Sequence, residues 1–350
     1  MRSTRRVAPR TLASLGLALL FAALLWGVST GSASLGFTDI KAALLKPAMP
    51  AAWQGQSREQ LAQVIVWQLR LPRVLLAACI GALLALGGAV MQGLFRNPLA
   101  DPSLIGVTAG SIAGASAVIV LGSALSESLP GLPLVSFGAF AGGLACAWLV
   151  YRLATDASGT SVSTMLLAGI ALTALAGSFG SMLEFFADNS MLRRISVWRM
   201  GGLEGASYSG LALAASCLLL LLFVLPRYSM ALNLMLLGES EARHLGIAVE
   251  KLKWILVALV ALATGIAVAL AGAVAFVGLV VPHVVRLLAG PDHRYLLPLC
   301  AIAGALLLVA ADALARSLIA PAELPVGILT ALLGAPFFIS LLRQRRQYGF

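Results

Sequence analysis

The sequence predicts an all-α, polytopic membrane protein of about ten transmembrane helices with both termini cytoplasmic, and three observations predict it. Hydrophobic residues make up 60% of the chain and charged residues only 11%, against about 25% in a soluble domain, so the bilayer is the expected solvent. Apolar runs of bilayer length recur from end to end with short polar connections between them. Basic residues favour alternate connections, which orients the runs.

The first run, Leu12–Val28, follows the basic start RSTRRVAPR. It is long for a signal-peptide core and is expected to stay as a span, although the small residues at 31–34 leave a cleaved secretory signal as the alternative. The second, Val74–Met91, has no charge between Arg73 and Arg96 and can cross roughly 30 Å of hydrocarbon. Pro72 suits its first helical turn, and Asn97-Pro98 with Asp101-Pro102 breaks the chain beyond it.

Runs three and four, Leu104–Leu121 and Leu134–Leu153, carry Gly110-x-x-x-Gly114 and Gly138-x-x-x-Gly142, a spacing that lets helix backbones approach closely. Packing within one subunit is the expectation and a dimer seam the alternative. Ser163–Phe186 and Gly210–Leu225 follow. Leu252–Leu270 and Val274–Leu288 nearly touch at 271–273, where a tight external turn is expected over a broken helix; Leu296–Leu314 and Val326–Leu342 complete the set. An even count puts both tails on one side, and placing them inside puts about 15 of the 24 Lys and Arg there. Arg70, Arg73, Arg193, Arg194, Arg199 and Arg316 fall outside, and such a cluster asks for a reason. The chain reads as one transmembrane domain, 1–350, whose longest cytoplasmic insertion is 226–253.

The net charge of +10 forms no continuous basic face with interleaved aromatics, so topology explains it and nucleic acid is excluded. The four cysteines lie singly within apolar runs and read as small core residues, neither disulfides nor metal ligands. None of the four lysines follows a glycine, so the chain has no phosphate loop and is not itself an ATPase. Glu184 and Asp312, the only acids inside the runs, lie near run ends and are expected to be satisfied pairs or anchors rather than a proton relay. His244, His283 and His293 map toward one side, too shallow to activate Ser178 or Ser181, which removes most support for an enzyme. No permanently bound cofactor or metal is expected. A path through the membrane powered by another polypeptide remains, with a stand-alone, ion-gradient-driven carrier as the alternative from another class. Pro226–Lys253 fits that view: a short apolar helix, Gly238, an acidic-basic helix bearing Glu239, Glu241, Arg243 and His244, then Gly246 form an elbow shaped for a partner's groove.

Five stretches, RLPR at 70–73, MQGLFRNPLADPSLIG at 91–106, GESEARHLG at 238–246, FVGLVVPHVVR at 276–286 and ELPVGILTALLGAPFFISLL at 323–342, resemble the permease subunits of type II ABC importers for iron chelates and vitamin B12. The resemblance implies a homodimer of ten-helix subunits in the bacterial inner membrane, with the path on its two-fold axis. It also implies two cytoplasmic subunits that use ATP, and a periplasmic substrate-binding protein. By the same resemblance Arg70, Arg73 and Arg316 look like external arginines that receive acidic residues of the binding protein, where charge steers docking. Glu241, Ala242 and Gly246, with Glu239 and Arg243 beside them, fall in what resembles the coupling helix to the ATPase. GAVMQGLFRNPLADPSLIG and GAPFFISLLRQRR look closest to the heme-import branch, with ferric siderophore or cobalamin as the alternative cargo. Heme carries two propionates and arginine grips carboxylates, so Arg193, Arg194 and Arg199 in MLRRISVWRMGGL are expected near the substrate entrance.

Overall fold

The computed structural model describes residues 8–31, 35–45, 58–122, 133–157, 159–319 and 321–347; Arg2, Arg5 and Arg6 of the basic start, Ser32–Ser34 and Lys46 lie outside the described residues. In chain order the helices are α1 (Pro9–Ser29), α2 (Phe37–Leu45), α3 (Arg58–Val64), a π segment (Ile65–Arg70), α4 (Leu71–Leu94), α5 (Val107–Leu121), α6 (Leu134–Leu153) and α7 (Val162–Phe186). There follow α8 (Asn189–Met200), α9 (Tyr208–Val224), α10 (Ser229–Met235), α11 (Glu239–His244), α12 (Val249–Ala271), α13 (Val277–Ala289), α14 (His293–Leu318) and α15 (Val326–Gln347). One two-residue hairpin, β1 (Thr155–Asp156) with β2 (Gly159–Thr160), joins α6 to α7.

Helix α4 is apolar on every side, and a helix of that kind belongs in the middle of a bundle. Helices α9, α12, α13 and α14 pack around it. Small residues set the distances. Gly81 faces Gly304 of α14, and Gly88 faces Gly278 of α13, so closely that a Cβ on either would overlap the facing backbone carbonyl. The two GxxxG stretches meet in the same manner, Gly110 against Gly142 and Gly114 against Gly138, so they pair α5 with α6 inside one chain. Helix α1 is knitted in as well: Gly16 packs on Ile302, and the carbonyls at its end accept from two arginines of other helices. Cleavage after α1 would strip both arginines of those acceptors.

Pro72 does not open a helix, as the sequence suggested, because helical structure already starts at Arg58. The π segment makes this possible. Its wider turn bonds the Leu71 N–H to the Val66 carbonyl, five residues back, so Pro72 would be the next donor and Trp67 its acceptor. Proline has no N–H to give. The Trp67 carbonyl takes the Tyr208 hydroxyl instead, at 2.5 Å.

Two expected spans are shorter than their apolar runs. After α4 the chain turns back and forms a 3₁₀ turn at Pro102–Ile105, opened by Asp101, whose carboxylate accepts from the Ser103 N–H at 2.8 Å, and closed by Gly106 in the left-handed region at φ 76. Pro102 lies against Gly87, two turns inside the end of α4, and the Leu104 carbonyl lies against Gly169 of α7. Only then does α5 begin. Non-helical backbone so far inside an apolar bundle must be covered by protein, and Pro102, Ile105 and Gly106 are buried. The second case is the α12–α13 junction. The chain turns at Gly272 (φ 65) and does not run on as one broken helix, but residues 273–276 continue without helix, so α13 starts at Val277, with Gly278 already beside the middle of α4.

Among the described residues seven helical stretches are long and apolar enough to cross a membrane, and three shorter apolar helices, Val107–Leu121, Val277–Ala289 and Val326–Ser340, coincide with the remaining runs. Helices α1 and α7 are the least covered of the seven, presenting most of their apolar side chains outward.

Candidate functional site

Chemistry-bearing residues gather at the two ends of the bundle. At one end stand Arg70, closing the π segment, Arg73 in the first turn of α4, and Arg316 in the last turn of α14. The structure brings all three together and turns them inward, with exposures of 5, 9 and 2%. Arg70 donates to the carbonyls of Val28 and Ser29 at 2.9 and 3.0 Å; Arg316 donates to those of Gly27 and Thr30 at 3.0 and 2.8 Å. These are helix-end carbonyls of α1, which have no partner within their own helix. Asp312 sits between two cations, 2.9 Å from Arg73 and 3.0 Å from Arg316, and Glu323 lies 2.6 Å from Arg73. Glu204 joins them around a cavity of about 270 Å³. A carboxylate arriving from outside would compete first with Glu323, which is a quarter exposed, since Asp312 is sealed.

Beside this cluster α8 carries Arg193, Arg194 and Arg199. Asp188 caps the helix, accepting from the Met191 N–H at 2.8 Å and the Ser190 hydroxyl at 2.7 Å; the Met191 bond foremost holds its carboxyl below the ordinary range. Arg193 and Arg194 line a cavity of about 470 Å³ together with Val197, Trp198 and Glu204. Two guanidinium groups beside an indole suit a planar ligand with carboxylates. Arg199 is elsewhere: it pairs with Glu184 of α7 at 2.9 Å, where both side chains are partly exposed and the pair is worth at most about 1 kcal/mol. Glu184 and Asp312 are thus both paired with arginine.

The opposite end holds the elbow. Gly238 and Gly246 bound α11 with φ values of 130 and 86, which side chains rarely adopt, so glycine at these positions frees the short helix to leave and rejoin the bundle. Ala242 faces inward, fully covered, while Glu241 and His244 face out and the neighbouring Leu237 and Leu245 stay 66 and 58% exposed. Large apolar side chains beside charges on a protruding elbow mark a contact surface. Glu239, expected to be displayed, turns inward to Lys253 at 2.7 Å, while Arg243 stays exposed as expected and pairs with Glu250 at 3.0 Å.

Sequence reasoning missed Lys253, Glu250 and Thr160, which form a knot beneath α11. The signal available was slight: a lysine three residues after a glutamate, at the mouth of an apolar run. It missed Glu323 as well, whose partner lies 250 residues away. Among the described residues no group of three His, Cys, Asp or Glu could hold a metal ion.

The profile of the FecCD transport family matches residues 19–344. The hemin transport system permease protein HmuU of Yersinia pestis is 42% identical over 345 residues, 98% of either chain. The cobalamin import system permease protein BtuC of Halobacterium salinarum is 45% identical over 286 residues, 82% of this chain and 75% of that one. Among solved structures, a metal-chelate type ABC transporter in an inward-facing conformation superposes with a TM-score of 0.79 at 33% identity, covering 96% of this chain and 99% of its own. PsaBC from Streptococcus pneumoniae, with a TM-score of 0.55 and 17% identity over 77% of this chain and 89% of its own, shares the fold.

Proposed function

Since the chain belongs to the FecCD transport family and is the multi-pass, inner-membrane permease of an ATP-driven importer, we propose that its cargo is heme. The observation that carries the reading is the end-to-end match to a hemin permease, 98% of both chains, where the cobalamin relative aligns over 82% of this one. The Arg193, Arg194 and Trp198 cavity supports it chemically, offering two forks for propionates and an aromatic face for a porphyrin. Cobalamin is the second reading, favoured by the 45% identity of that relative.

The family's permeases work with ATP-hydrolysing and substrate-binding partners. In the proposed arrangement two copies of this chain enclose the path, and the sparsely covered faces of α7 and α15 support such a seam. The arginine end faces outward to the binding protein, whose acidic residues would exchange with Glu323 on Arg73 while Arg70 and Arg316 hold the end of α1 in place behind it. The elbow faces the two ATPase subunits through Glu241, Leu237 and Leu245, with Glu239, Ala242, Arg243 and Gly246 shaping it. Substrate affinity then resides in the binding protein, and ATP alternates the access of the cavity between the copies.

The test is uptake by liposomes holding the assembled importer with its binding protein. Heme should accumulate with ATP, and replacing Arg193 and Arg194 together by alanine should lower the rate about tenfold, one lost charged contact's worth, without weakening binding-protein docking. Unchanged uptake removes the arginines from the reading. Accumulation of cobalamin but not heme overturns the cargo.

A further inference from the structure

Lys253 is the most sealed cation near the elbow, its side chain 1% exposed, and the functions argued so far leave it unused. Its ammonium group donates to the Thr160 carbonyl of β2 at 2.5 Å and to Glu239 of α11 at 2.7 Å, and lies 3.5 Å from Glu250 one turn earlier on its own helix. Three donors thus meet three acceptors on three different elements. Glu250 completes the loop, accepting the Thr160 N–H at 2.7 Å and pairing with Arg243 of α11 at 3.0 Å. Both backbone groups of Thr160 are therefore spent on α12, and both ends of α11 are tied to the same two residues.

The consequence is mechanical. Gly238 and Gly246 on their own would let α11 pivot, and a push on it would be absorbed in the hinges. Resting on the coupling reading above, we propose that Lys253 is a positioning residue that locks the elbow helix, the first turn of α12 and the α6–α7 hairpin into one rigid body. A displacement of α11 by the ATPase then moves α12 and the hairpin-linked α6 and α7 together. The central helix is reached too, because α12 packs on α4, α5, α6 and α9.

The experiment uses the assembled importer in liposomes, spin-labelled through Ser240→Cys on α11 and Ala157→Cys on the hairpin, both exposed positions. With Lys253 present, the interlabel distance should stay single and unchanged when ATP is added. Lys253→Met should broaden it and lower heme moved per ATP hydrolysed about tenfold, a coupling loss of ordinary size, with hydrolysis itself within about twofold. Lys253→Arg, which keeps the charge and at least three N–H donors, should recover most of that ratio. A purely structural lysine would lower assembly and leave the ratio alone. A distance that shifts with ATP in the parent, or a Lys253→Met importer with unaltered distance and ratio, overturns the proposal. Should Lys253→Met fail to assemble, Glu239→Gln, which keeps the other two contacts, is read by the same ratio and the same label pair. Failure of the coupling reading looks different: Ser240→Cys would then give no crosslink to the ATPase subunit although uptake needs ATP.

Discussion

The two ends of the bundle are built from the same parts, buried cations between carboxylates, and differ in what the cations hold. At the arginine end Arg73 and Arg316 share Asp312 at 2.9 and 3.0 Å, and the partners come from α4, α14 and the end of α1. At the elbow end Lys253 holds Glu239 and Thr160, which belong to a six-residue helix and a two-residue strand. Guanidinium groups, with five fixed donors, fasten whole helices to one another; an ammonium group, with three rotatable donors, fastens small pieces to one helix. The arginine end is thus a clamp closing the bundle, and the elbow end a handle attached to it.

Removing the shared acid should expose this difference most sharply. Asp312→Ala leaves two buried guanidinium groups facing one another with one carboxylate, Glu323, still in place. We expect a loss of about 3–5 kcal/mol, the usual result of orphaning a buried charge, read as a large drop in thermal unfolding midpoint in detergent and in recovered protein. Glu239→Gln at the elbow should cost about 1.5 kcal/mol, because the side chain is 26% exposed and Lys253 keeps Glu250 and the Thr160 carbonyl. An equal loss at both ends would dissolve the distinction between clamp and handle.

Much of this was legible in the residues. The ten apolar runs fall on helices, the elbow lies between its two glycines, and Asp312 with Arg316 stands at helical i, i+4 spacing. What could not be read was direction and depth. Counting arginines identified an unusual cluster, but whether Arg70 reaches outward or inward depends on the end of α1, some forty residues away, and Arg73 on Asp312 and Glu323, 239 and 250 residues away. An apolar stretch has the same composition whether it is α-helical or not, so 104–106 and 273–276 were indistinguishable from the helices they adjoin. The π segment escaped for a related reason: Pro72 is explained equally by a helix start and by a carbonyl that a distant Tyr208 satisfies. Lys253 was hidden because one of its acceptors is a backbone carbonyl, which every residue possesses.

The smallest effect separates charge from geometry at the elbow end, where Asp292 caps α14. Its carboxylate accepts from the Arg294 N–H at 3.0 Å and from the Asn233 amide at 2.6 Å, fastening α10 to α14, and the Arg294 bond foremost holds its pKa below the ordinary carboxylate value. A depressed folded pKa means stability that is present above the unfolded value of about 4 and is lost as pH falls through the lower folded one. Asp292→Ala should lower stability by about 1 kcal/mol at neutral pH, an ordinary cap loss. Asp292→Asn keeps a good cap and an acceptor for Asn233 but cannot ionise, so its deficit against the parent should shrink between about pH 5 and pH 3. Asp312, sealed between two arginines, has no such neutral substitute, since an amide there would leave the cations short of charge. A pH-independent gap between parent and Asp292→Asn would mean that the carboxylate acts only through its shape, and the handle would then owe nothing to charge at its α14 anchor.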